Sequence, residues 1–226
     1  MTGNQSSHGD SAESVRLREQ AVGLRQSGRL EESIWLLLTA LHANGRDALV
    51  WCELAHGLRW AGRLPDAKVA AERALELLPQ HAPAWFNLGA VLVEQQQVEQ
   101  GIAAYRHALE LRPDFPEAWS NLGLALDATG QRKDAINAFH RALDANPELA
   151  PVWNNLGGAL LTDDRFAEAI NAYRRAVDIA PDYAEAWSNL ADGLCRAGDF
   201  VAAIEASDHA LQIEPALAAA WHNRGA

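Results

Sequence analysis

The sequence predicts an all-α solenoid of stacked antiparallel helix pairs, and three observations carry that reading. Tryptophans recur at Trp51, Trp85, Trp119, Trp153, Trp187 and Trp221, always 34 residues apart. Prolines at Pro79, Pro113, Pro147, Pro181 and Pro215 keep the same step. Within one period, Trp119, Leu122, Gly123 and Leu126 lie three, four and seven residues on from the tryptophan, the spacing that gathers residues on one face of a helix. A fixed period of this length marks a repeat architecture, in which each helix pair buries its apolar faces only against its neighbours.

The period divides the 226 residues into a polar segment, 1–13, then six units: 14–47, 48–81, 82–115, 116–149, 150–183 and 184–217. A seventh begins at 218 and stops at 226. The opening segment is small and polar, with no basic start and no apolar middle. It does not resemble a secretory signal and is expected to be a disordered tail. In the unit 116–149, the first helix carries Trp119 to Leu126, and Gly130 supplies the left-handed residue that ends it. Ala135, Phe139 and Ala142 mark the buried face of a second helix, which Pro147 stops. The departures from this pattern are local. Gln96 and Asp164 stand where the turn glycine is expected, which predicts looser turns. Gly101 replaces an alanine, weakening its helix by about 1 kcal/mol. Ser207 replaces the second aromatic residue, and the first unit carries Leu17 and Gly45 in place of tryptophan and proline.

These anchors, W-x2-L-G, A-x3-F and P on a 34-residue period, resemble the tetratricopeptide repeat. Its tyrosine slot is filled here by Leu92, Leu126, Leu160 and Leu194. The resemblance implies a right-handed superhelix with the first helix of each pair on the concave side.

One slot asks for more than a fold. Asparagine recurs two residues after the tryptophan, at Asn87, Asn121, Asn155, Asn189 and Asn223, although it is a mediocre helix former. At ~100° per residue, with Trp119 as zero, Leu122 falls near −60° and Leu126 near −20°, while Asn121 falls near 200°, away from the core. Adjacent outward slots drift from unit to unit: Phe86, Ser120, Asn154, Ser188, His222, and Ala90, Leu124, Gly158, Asp192. The asparagine does not drift, so duplication alone does not account for it. Glu19 and Glu53 occupy the slot in the first two units. An amide both donates and accepts, so a row of amides suits the repeating N–H and C=O groups of an extended peptide. The other reading is amide bonding between neighbouring helices. Asparagines in this slot resemble the repeat region of O-linked N-acetylglucosamine transferases, which implies that Asn87, Asn121, Asn155, Asn189 and Asn223 hold a peptide backbone. The catalytic domain of that family has no counterpart in these residues.

Trp60 and Phe86 are further candidate groove contacts. Arg18, Arg25 and Arg59 are expected as solvated charges on the groove side of the first units, and Asp127, Glu185 and Asp192 make the later groove acidic. The net charge of −11 argues against nucleic acid as a partner. No apolar run is long enough to span a membrane. Cys52 and Cys195 are too distant along the stack to pair, and the scattered histidines form no metal motif, so neither a cofactor nor a metal is expected. The reading is a non-enzymatic, cytoplasmic scaffold that binds an extended peptide or protein segment in its concave groove. The alternative is the substrate-recognition arm of a transferase whose chemistry lies beyond residue 226. The unfinished seventh unit is expected to leave an apolar end uncovered, open either to self-association or to further repeats.

Overall fold

A computed structural model describes residues 6–225, with side chains from residue 12 onward. Among these it contains thirteen helices and no strand. They are α1 (Ser6–Gln26), α2 (Leu30–Ala43), α3 (Ala48–Trp60), α4 (Leu64–Leu77), α5 (Ala82–Glu94), α6 (Val98–Leu111), α7 (Pro116–Ala128), α8 (Arg132–Ala145), α9 (Ala150–Thr162), α10 (Phe166–Ile179), α11 (Ala184–Ala197), α12 (Phe200–Ile213) and α13 (Ala218–Gly225). The chain divides into two compact units after Pro113. Residues 6–13, expected within a tail, belong to α1, where Ser14 is fully buried and donates to Asp47 at 2.5 Å. The rest of the expected tail, residues 1–5, lies outside the described residues.

Within the first unit, α1, α3 and α5 each pack on the helix that follows, α2, α4 and α6. The first helices also touch one another, α1 on α3 and α3 on α5, whereas no contact joins the second helices among the described residues. The layer of first helices is therefore the more closely spaced, and the unit curves with that layer inside. In the second unit α7, α9, α11 and α13 form the inner layer by the same criterion, and α8, α10 and α12 the outer one.

The tryptophan does more than fill the core. It is half-buried in most units, and its indole N–H donates to the carbonyl six residues earlier: Trp85 to Pro79, Trp153 to Pro147, Trp187 to Pro181 and Trp221 to Pro215, at 2.8–2.9 Å. Trp51 makes the same bond to Gly45, which stands in the proline slot. The bond closes the loop between repeats, and because its acceptor is a backbone carbonyl, glycine serves in the proline slot as well.

The substitutions in the turn slot leave the turn intact. Gln96 and Asp164 take φ of 64° and 57°, close to Gly28, Gly62, Gly130 and Gly198 at 72–83°. The closing bond is also the same: Gln97 N–H donates to Leu92 at 2.8 Å and Arg165 N–H to Leu160 at 3.0 Å, as Gln131 N–H does to Leu126 at 2.9 Å. A side chain in this region costs roughly 1–2 kcal/mol, partly returned by the lower entropy of the unfolded chain. Gln96→Gly is expected to raise stability by about 0.5–1 kcal/mol, read from the urea midpoint. An unchanged or lower midpoint would mean that the turn carries no strain.

Gly101 is not a weakened alanine. A Cβ there would lie 2.5 Å from Val93 Cγ2 and 3.0 Å from the Gly89 carbonyl oxygen, so glycine is what lets α5 and α6 approach. At the far end of the second unit, Ile204 is 44% exposed, whereas its counterparts Ile34, Ile102, Ile136 and Ile170 are buried. The counterparts Ile34 and Ile170 pack against Gly57 of α3 and Gly193 of α11.

Candidate functional site

The asparagines sit on the inner layer, and the structure shows what holds them there. In the second unit Asn223 donates through Nδ2 to the Ser188 carbonyl at 2.9 Å, and Asn189 donates to Asn154 Oδ1 at 3.0 Å. In the first unit Asn87 donates to the Cys52 carbonyl at 3.0 Å. Each bond reaches back 35 residues, to the residue preceding the equivalent slot on the previous first helix. The slot therefore bridges successive first helices. Where it holds glutamate the bridge is ionic: Glu53 on α3 pairs with Arg25 on α1 at 2.7 Å.

What remains for a ligand differs along the row. Asn87 is only 4% exposed, with its amide held against α3. Asn121, Asn155, Asn189 and Asn223 are half-buried. For Asn189 and Asn223, one N–H is committed, which fixes the amide plane and leaves the carbonyl oxygen as an acceptor. Asn154 belongs to the same network: it is 5% exposed and donates to the Tyr183 hydroxyl at 3.4 Å while accepting from Asn189. The sequence signal for this network is the 35-residue offset between hydrogen-bonding positions, which a single-helix projection cannot display.

The basic residues expected as solvated charges are largely paired. Besides Arg25, Arg59 bonds Glu94 at 2.5 Å, linking α3 to α5, and both arginine side chains are only 18% exposed. A concavity of about 420 Å³ opens in the first unit between Arg18, Glu19, Cys52, Glu53 and His81, so the slot that carries amides elsewhere carries carboxylates here. Trp60 is 66% exposed, with His56 stacked at 6.2 Å and the Arg59 guanidinium over its ring at 5.5 Å. Phe86 is half-buried, with its ring 5.9 Å from that of Tyr105. In the second unit Asp127 pairs with Arg132 and Asp192 with Arg196, while Glu185 is exposed.

Cys52 and His56 share a face of α3, a spacing that would suit a thiol–imidazole pair. Their environments set them the other way. Burial, and then the neighbouring Glu53 charge, push the Cys52 thiol up to about 12. Burial, and then Arg25 and Arg59, push His56 down to about 4. Both are neutral near pH 7, the reverse of the thiolate–imidazolium pair that nucleophilic catalysis needs. Burial and Asp192 also raise Cys195. Among the described residues no three His, Cys, Asp or Glu side chains converge as metal ligands, and no helix is long and apolar enough to cross a membrane.

Comparison with known proteins follows the period. Tetratricopeptide-repeat family models match residues 70–103, 120–184 and 160–223, and a further model of the same repeat matches 91–130. Among solved structures, YrrB, described as a repeat protein of this kind with an unusual peptide-binding site, is 23% identical at a TM-score of 0.70, over 84% of this chain and 98% of its own. Pseudomonas aeruginosa PilF is 18% identical at 0.85, over 96% and 99%. PilW, a widely conserved type IV pilus biogenesis factor, is 17% identical at 0.84, over 92% and 97%. At these identities the likeness is one of fold. No curated protein matches the chain.

Proposed function

This chain belongs to the tetratricopeptide-repeat family, and we propose from that premise that it is a non-enzymatic scaffold holding an extended peptide segment on its inner face. The segment lies along α7, α9, α11 and α13, against Asn121, Asn155, Asn189 and Asn223. One observation carries the reading: the slot's amides are pre-oriented by bonds to the preceding helix, as at Asn189 and Asn223, and still have unused capacity. Pre-orientation lowers the ordering cost that binding must overcome. The peptide-binding site ascribed to YrrB supports the same use of the fold. The neutral Cys52 and His56 support a non-enzymatic role.

The energetics favour transient capture. Four amide bonds at about 0.5–1.5 kcal/mol each supply roughly 2–6 kcal/mol, against an association cost of about 4–15 kcal/mol. Other groove residues of the second unit must add to them. The second unit also holds 17 acidic against 8 basic side chains over 114–226, which favours segments carrying lysine or arginine.

The test replaces Asn121 and Asn155 together with alanine and measures capture on an array of random-sequence pentadecapeptides. Capture is expected to fall about tenfold, with the melting temperature unchanged or slightly raised, because alanine is the better helix former. A clear drop in melting temperature with capture intact would reduce the row to a helix-bridging role.

A further inference from the structure

α9 carries two adjacent glycines at mid-helix, and only one of them has a packing reason. A Cβ at Gly157 would lie 2.6 Å from the ring of Tyr173, so glycine is required there. A Cβ at Gly158 would meet nothing closer than the Tyr173 hydroxyl, at 3.8 Å, an ordinary contact. Glycine within a helix is unfavourable relative to alanine, so Gly158 costs stability that internal packing does not explain. In the same slot the neighbouring units carry Leu124 and Asp192. Relative to Trp153, Gly158 falls near ~140° and Asn155 near ~200°, on the same side of the helix.

Tyr173 completes the feature. Its residue is 2% exposed, and its ring is held between Gly157 of α9 and Gly193 of α11. No hydrogen bond among the described residues engages its hydroxyl, which stays open to solvent beside Gly158 while the ring is enclosed. Burial, and then the Asp192 carboxylate, raise the phenol further, so it stays a donor. A donor open to solvent at the edge of the gap left by a missing side chain is suited to meet a ligand atom there.

We infer that Gly158 and Tyr173 form a notch on the inner face of the second unit where a bound peptide's main chain makes its closest approach. The Tyr173 hydroxyl donates to a backbone carbonyl of the ligand, and the Asn155 amide and Asp192 carboxylate stand to either side for its N–H groups. The ligand class is an extended polypeptide, recognised here through its main chain, because any side chain at position 158 would fill the gap. This inference rests on the peptide-binding reading above.

Three variants test it on the pentadecapeptide array. Gly158→Ala is expected to raise the melting temperature and lower capture at least fivefold. Tyr173→Phe is expected to leave the melting temperature unchanged, since Phe139 already fills that slot against Gly123, and to lower capture about threefold to tenfold. Gly23→Ala, at an exposed α1 glycine with open space around it, is expected to raise the melting temperature without touching capture. If Gly158→Ala and Tyr173→Phe bind like the wild type while the asparagine double variant does not, the notch is wrong and the amide row stands. If the wild type captures no peptide, the binding reading fails, and the notch with it.

Discussion

Gly123→Ala is expected to destabilise the second unit by about 2 kcal/mol, although alanine is intrinsically the better helix former by about 1 kcal/mol. A Cβ at Gly123 would stand 2.6, 2.8 and 2.9 Å from three ring carbons of Phe139, which is 1% exposed. The ring is rigid and enclosed, so the backbone must move, and overpacking of this kind costs typically about 1–3 kcal/mol. The same pairing runs through the chain. Gly89 faces Tyr105 and Gly157 faces Tyr173 at similar distances. Where the second helix carries no ring in that slot, as at Leu37, Ala71 and Ser207, the first carries alanine: Ala21, Ala55 and Ala191. Ser207 in the sixth unit is thus matched by a second change on α11, not a lone defect. The control is the reverse substitution. Ala191→Gly is also expected to destabilise, by about 1 kcal/mol, because no ring there needs the space. Urea midpoints of the two variants decide the matter, and a rise on Gly123→Ala would reject the pairing.

The fold was legible because its determinants lie on single helices. Apolar spacing, turn glycines and the 34-residue step are all local, and helices alternate along the chain at that step, although α1 begins at Ser6, before the first expected unit. Gln96 and Asp164 were misjudged because residue preference was read without the closing bond that holds φ positive. Gly101 was misjudged because its partner, Val93, sits across a helix pair. The site was half legible for the same reason. A helical projection turns Asn121 away from its own core, but it says nothing about the preceding first helix, where Asn87, Asn189 and Asn223 find their acceptors. Arg25 and Arg59 read as surface charges until Glu53 and Glu94 were brought within 2.7 Å and 2.5 Å of them. Tyr173 gave no signal, since its slot is aromatic in three successive units and only the glycine above it distinguishes it.

The first unit is expected to lose stability as pH falls from about 6.5 towards about 4, and His56 is expected to account for a measurable part of that loss. In the unfolded chain the ring takes a proton near its ordinary value of 6.5; in the folded chain it does not until about 4. Burial dominates this depression, with Arg25 and Arg59 adding to it and Glu53 opposing it. Above about 6.5 both states are neutral and the difference contributes nothing against the fold. Below it the unfolded state binds the proton alone, so stability declines through the window. The full linkage value is discounted because the ring keeps a path to water, leaving about 1–2 kcal/mol. Carboxylates titrate near the lower end, so the informative quantity is the difference between wild type and His56→Gln. That difference should favour the variant increasingly as pH falls, read from urea midpoints across the window; a difference independent of pH would show that His56 is freely protonated in the fold. The location gives the result weight beyond stability. His56 stacks on Trp60 and shares α3 with Cys52, whose carbonyl holds the Asn87 amide. A proton placed on His56 therefore sits one helical turn from Cys52, whose carbonyl anchors the bridge between α3 and α5 at the asparagine slot.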